Sequence, residues 1–164
     1  MGIQEQFLRY ISGEIDMRNK GYSLMELIVV VAIMGVLTVA LAPSLIKYVN
    51  RSRLSRDLDT GRKLAQAITT VVTDETMYSH AQPQFTPIPV SAMEDTTFKE
   101  AVDNIVAVDQ VIGTAKRDAD GNKIVHQNFY YKLDTERNKV EVFYGGTDDS
   151  YMVYPIVGEK LLKN

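Results

Sequence analysis

The sequence predicts an α+β chain: a long N-terminal α-helix whose second half packs on a small antiparallel β-sheet head. Three observations carry that expectation. A charge-free apolar run lies near the N-terminus, a stripe of apolar residues at helical spacing follows it, and the last third alternates apolar with polar residues.

The 164 residues carry 18 Lys+Arg against 21 Asp+Glu, a formal charge of −3, which argues against a general nucleic-acid binder. No cysteine is present, so disulfide scaffolds, thiolate zinc sites and thiol catalysis are excluded. The two histidines, His80 and His126, read as surface or packing residues. Ser, Asp and His all occur, but no nucleophile elbow, metal-binding His pair or phosphate loop does, so no enzymatic activity is expected.

From Leu27 to Ile46 the chain reads LIVVVAIMGVLTVALAPSLI, twenty residues without a charge. At about 1.5 Å per residue, a helix of that length spans roughly 30 Å, the hydrocarbon thickness of a bilayer. Basic residues flank both ends, so counting them does not fix an orientation. A secretory signal peptide would offer Ala40-Leu41-Ala42 for cleavage, but Pro43 would then occupy the first mature position, where it fits badly. An uncleaved signal anchor is a second reading. The third rests on the junction Arg18-Asn19-Lys20-Gly21-Tyr22-Ser23-Leu24-Met25-Glu26, where one carboxylate stands just inside the apolar helix. Such a group is costly at mid-bilayer, on the order of 3 kcal/mol. Either it snorkels at the membrane edge, or it meets a partner charge supplied by assembly.

Gly21-Tyr22-Ser23-Leu24-Met25-Glu26 followed by the apolar run resembles the class III signal of type IV prepilins. The resemblance covers about Arg18 to Arg56. It implies a prepilin peptidase that cuts after Gly21 and methylates the new amine of Tyr22, and a chain that polymerises through its N-terminal helix. Tyr22 stands where Phe is the commonest residue, and the 21-residue leader is long; initiation at Met17 would leave a five-residue leader. The partners implied are identical subunits in a helical filament, the peptidase, the assembly ATPase and its platform, and the membrane before assembly. No cofactor is implied. The filament would serve adhesion, motility or DNA uptake, with direct DNA binding disfavoured by the acidic balance. The precursor would sit in the cytoplasmic membrane as a single-pass protein and the product on the cell surface as a pilus. The alternatives are a pseudopilin of a type II secretion or competence system and a signal-anchored surface binding domain.

Physical chemistry gives the junction a role within that resemblance. An α-amine on Tyr22 and the Glu26 carboxylate attract far more strongly in a low-dielectric setting than in water. A wrong axial register would leave Glu26 buried and unpaired, so it reads as a register device. Pro43 removes a backbone donor and crowds the preceding turn, predicting a kink or opening around Val39–Ala42, with Gly35 at the other end of the weak stretch. Two accounts stand for Gly35 and Pro43: a segment that loosens on packing, or ordinary membrane-helix residues with Gly35 allowing close approach.

Past the membrane run, Leu54, Leu58, Gly61, Ala65, Ile68 and Val72 form a helical stripe, with Arg51, Arg53, Arg56, Asp57, Asp59, Arg62 and Lys63 assigned to the other faces. A helix from Tyr22 to about Ser79 would measure about 87 Å. Pro83, Pro87 and Pro89 then predict an irregular connection. A short second helix follows, beginning in a capping box at Ser91 and Glu94 or at Thr96 or Thr97. It carries Phe98, Val102, Ile105, Val108 and Ile112 at helical spacing and ends at Gly113. Three strands come next: Phe129–Leu133, Val140–Tyr144 after a turn at Asp134–Asn138, and Tyr151–Val157 after a turn at Gly145–Ser150. Asp118-Ala119-Asp120-Gly121-Asn122 resembles the start of a calcium loop but lacks the bidentate Glu of an EF-hand, and Asp-Gly favours a hairpin turn. The expected divisions are 1–21 leader, 22–49 membrane or filament-core helix, 50–80 amphipathic continuation, and 81–164 connecting loop, short helix and sheet.

Overall fold

The computed structural model describes residues 23–136 and 138–162. Contacts divide the chain into two units, Met1–Ala42 and Pro43–Asn164.

Helix α1 runs from Leu24 to Val72. Its first turn closes on the Ser23 carbonyl, which accepts from the Leu27 N–H at 3.1 Å. All six stripe residues, from Leu54 to Val72, are buried, as the spacing predicts. The helix stops at Val72 rather than near Ser79. The cause is local: the Asp74 carboxylate accepts from the Thr76 N–H at 2.8 Å and from its hydroxyl at 2.6 Å. That turn takes backbone donors away from a continuing helix, and a single 3₁₀ turn at Tyr78–His80 follows.

The proline-rich stretch is a strand, contrary to the irregular connection expected. Strand β1 (Gln84–Pro89) pairs antiparallel with β2 (Phe129–Asp134), as Gln84 with Leu133 and Ile88 with Tyr131. It occupies one edge of a four-stranded sheet in the order β1-β2-β3-β4, where β3 is Lys139–Tyr144 and β4 is Met152–Tyr154. An edge strand bonds on one side only, which is why it tolerates Pro87 and Pro89.

Of the two starts considered for the second helix, the later holds: α2 is Thr96–Asp103, capped by Asp95, whose carboxylate accepts from the Phe98 N–H at 2.9 Å. That bond, with the His80 ring nitrogen 3.1 Å away, holds the Asp95 carboxyl below the usual carboxylate value. The helix does not reach Gly113. The Asp103 side chain takes the Val108 N–H at 2.7 Å and turns the chain into a 3₁₀ segment, Val108–Gln110. Phe98, Val102 and Val108 are buried, whereas Ile105 and Ile112 face solvent. Gly113 has another use. A Cβ there would lie 1.9 Å from the Tyr144 ring, so only glycine lets that ring pass.

Strands β2 (Phe129–Asp134) and β3 (Lys139–Tyr144) pair in unbroken register from Phe129–Tyr144 to Asp134–Lys139. Phe129, Tyr131 and Leu133 point into the core with Val140, Val142 and Tyr144. The third expected strand is shorter than predicted: β4 is Met152–Tyr154, ending where Pro155 removes the next ladder donor. α1 crosses this sheet at Gly61, where a Cβ would stand 2.7 Å from Val153 Cγ1 and 3.1 Å from Phe129 Cε1. The Phe129 and Tyr144 rings meet at 4.9 Å between centroids. On the outer face, Lys139 and Lys132 flank Glu141 and hold its carboxyl below the ordinary range.

Candidate functional site: the exposed apolar helix and its clamps

Two segments of α1 hold the residues of interest. Along the first, large apolar side chains from Leu24, 76% exposed, to Val39, 75% exposed, stand free of the chain's own core. α1 is long and apolar enough to cross a membrane, and none of its most apolar 18-residue window is buried. That excludes the other common setting for such a run, the core helix of a globular domain. Its backbone groups are paired within the helix, as a hydrocarbon environment demands. Thr38 follows the same rule, its hydroxyl donating to the Met34 carbonyl at 2.7 Å. Glu26 lies in the first turn with its side chain exposed. The helix is continuous through Gly35 and Pro43, and no atom lies within 4 Å of the place a Gly35 Cβ would occupy.

On the second segment, two polar side chains grip a distant loop. Asp57, assigned from sequence to a face away from the apolar stripe, is 2% exposed. Its carboxylate accepts from the Thr114 N–H at 2.8 and 3.0 Å, from the Thr114 hydroxyl at 3.0 Å and from the Ala115 N–H at 2.7 Å. Two turns earlier on the same face, Asn50 donates to the Arg117 carbonyl at 2.9 Å and accepts from the Lys116 and Arg117 N–H groups at 3.2 and 3.3 Å. Seven helical residues advance about 10 Å, and three extended residues cover about the same distance, so residues 114–117 lie along the helix. The Tyr144 hydroxyl completes the site by donating to the Ala115 carbonyl at 2.9 Å. Burial, then the nearby Asp57 charge, pushes the Tyr144 phenol well above its ordinary value. Burial and the Glu94 charge push Tyr131 up to about 12.

The clamped segment leads into a hairpin closed by an Arg117–Lys123 bridge. At its tip Asp118 accepts from the Asn122 N–H at 2.8 Å and from its amide at 3.2 Å, and Gly121 takes φ 94°. Asp118-Ala119-Asp120-Gly121-Asn122 is therefore a turn. Among the described residues, no group of three or more His, Cys, Asp or Glu side chains is placed to hold a metal ion.

Residues 16–42, a span that takes in the first part of α1, match the family model of the prokaryotic N-terminal methylation motif. The chain carries the class III signal peptide of type IV pilins. No curated protein and no solved structure matches the chain. The methylation motif fits a type IV pilin-like or pseudopilin protein, and with the exposed apolar helix it points to membrane anchoring. Of the residues expected to act in the motif, Glu26 and Gly35 lie on α1 within the matched span, and Pro43 lies one residue beyond it. Gly21 and Tyr22 lie outside the described residues, as does the alternative start Met17. Sequence reasoning missed Asp57 and Asn50. For Asp57 a signal existed: it stands three residues after Leu54 and four before Gly61, on the stripe itself.

Proposed function

We propose that this chain is a type IV pilin-like structural subunit, made as a prepilin, cut after Gly21 by a prepilin peptidase, methylated on Tyr22 and polymerised through α1. The observation that carries the reading is the methylation motif at 16–42, which overlaps the start of a helix whose apolar side chains the chain itself leaves uncovered. In this account the precursor is membrane-held, and the filament then replaces lipid with the helices of identical subunits. Glu26 sets the register, since a subunit misplaced along the axis would strand its carboxylate without the neighbouring amine. The work is structural and no catalytic step is assigned to any residue. The product stands outside the cell as a filament, built by an assembly ATPase and platform.

The test is the intact mass and N-terminal sequence of the protein in a sheared cell-surface fraction, with Glu26→Ala alongside. A methylated chain beginning at Tyr22, and loss of filaments from the variant while its head stays folded, are the expected results. A chain beginning at Pro43 would make it a secreted domain. An uncut chain would make it a membrane anchor, and normal filaments from Glu26→Ala would remove the register role.

A further inference from the structure

Beside the Asn50 clamp, α1 and the 117–121 hairpin enclose a cleft of about 480 Å³. The helix side presents Pro43, Ile46, Lys47 and Arg51, and the hairpin side presents Arg117 and Asp120. These positions on α1 follow helical spacing, so they share one face, apolar at Pro43 and Ile46 and cationic at Lys47 and Arg51. The face changes character where the charge-free run ends, at Ile46. Arg117 donates to the Gly121 carbonyl at 2.7 Å, which braces its guanidinium across the hairpin, and a guanidinium has further N–H donors to offer. Asp118 also lines the cleft, but it is buried and both its oxygens accept from Asn122. The exposed carboxylate in the lining is Asp120.

The geometry points to a seat for the headgroup of an anionic phospholipid, occupied while the chain is held in the membrane. The order along the helix is the order of a lipid leaflet: an apolar floor at Pro43 and Ile46, then the cations Lys47 and Arg51, with the hairpin and Arg117 beside them. From Pro43 to Arg51 the helix advances about 12 Å, enough to pass from the hydrocarbon edge through the headgroup layer. A free phosphate would use the cations and leave the Pro43 and Ile46 floor idle. Against the three cations the lining sets one exposed carboxylate, Asp120, so the balance of charge favours a net-negative headgroup over a zwitterionic one. The proposal rests on α1 crossing a membrane, and does not need polymerisation.

The experiment uses the full chain in nanodiscs of phosphatidylcholine, into which phosphatidylglycerol is titrated while backbone amide resonances are followed. Saturable shifts at residues 117–121 and around Lys47 are expected. Each basic residue near an anionic surface contributes about fivefold in affinity, so Lys47→Gln and Arg117→Gln should each weaken the response by about that factor. Lys47→Gln leaves the hairpin's own bonds intact and controls for misfolding in the Arg117 variant. Arg53→Gln removes the same charge from α1 outside the cleft and should change the response less than twofold. Equal losses from Arg53→Gln would mean a diffuse surface effect. The same shifts from inorganic phosphate would mean a free-anion site. No shift with phosphatidylglycerol would mean no site, and any of these three results overturns the proposal. Failure of the chain to stay with the discs through a carbonate wash would instead overturn the membrane reading itself, together with the seat built on it.

Discussion

Replacing Asp57 by alanine removes one buried carboxylate and strands three donors: the Thr114 N–H, its hydroxyl and the Ala115 N–H. The hydroxyl rotates to other acceptors, but the two amides cannot move without the loop. A stranded buried N–H costs about 1–3 kcal/mol, the Ala115 amide near the top of that range and the half-buried Thr114 amide near the bottom. Relief of the desolvation the carboxylate suffers offsets part of this. The net expectation is a loss of about 3 kcal/mol, a fall in Tm of roughly 10 °C for a chain of this size. Asp57→Asn should fare little better, because its amide would place a donor against one of the backbone donors. The assay is thermal unfolding in detergent followed by near-ultraviolet dichroism of the nine tyrosines, the chain having no tryptophan. Hydrogen exchange at the Thr114 and Ala115 amides locates the effect, and Asn50→Ala should expose Lys116 and Arg117 instead. A loss under about 1 kcal/mol with unchanged protection at 114–115 would refute the clamp.

Three further outcomes follow from the same contacts. Gly61→Ala should destabilise the head by about 1–2 kcal/mol, because its Cβ meets Val153 at 2.7 Å, whereas Gly35→Ala, with open space around it, should leave thermal unfolding of the head unchanged. Tyr131 titrates near 10 unfolded and about 12 folded, so its contribution is whole below pH 10 and lost as pH rises toward 12; the alkaline unfolding curve should steepen there, and Tyr131→Phe should flatten it. A chain beginning at Pro43 should fold and stay soluble with a Tm within a few degrees of the full chain. The buried apolar core begins at Leu54 and both clamps are retained, so loss of dispersed amide resonances in that fragment would show that the apolar segment supports the head.

What sequence could and could not say divides by the range of the interactions. The stripe from Leu54 to Val72 and the alternation through β2 are local periodicities that survive folding intact, and β3 keeps its alternation up to Phe143, which is buried as well. The end of α1 and the length of α2 depended on single side chains bonding to backbone. Asp74 stopped one helix and Asp103 the other, while apolar spacing alone carried the second helix on to Ile112, which is exposed. Prolines marked 83–89 as a breaker because sequence does not reveal that this strand lies at an edge. Asp57 was lost for a related reason. Its residue type says solvent, its position says core, and the donors that decide between them come from Thr114 and Ala115, at least 57 residues away.

The methylation motif was legible for the opposite reason. A family motif is a run of neighbouring residues, and the match here covers residues 16–42 without a break. The structure adds something the motif does not contain. A soluble monomer seldom exposes a continuous apolar patch beyond a few hundred Å². Here the large apolar side chains from Leu24 to Val49 are uncovered along α1. Water is a poor solvent for that surface, so lipid or other protein must cover it. The motif, a local code, and the exposure, a property of the folded chain, are independent observations, and they meet on residues 24–42.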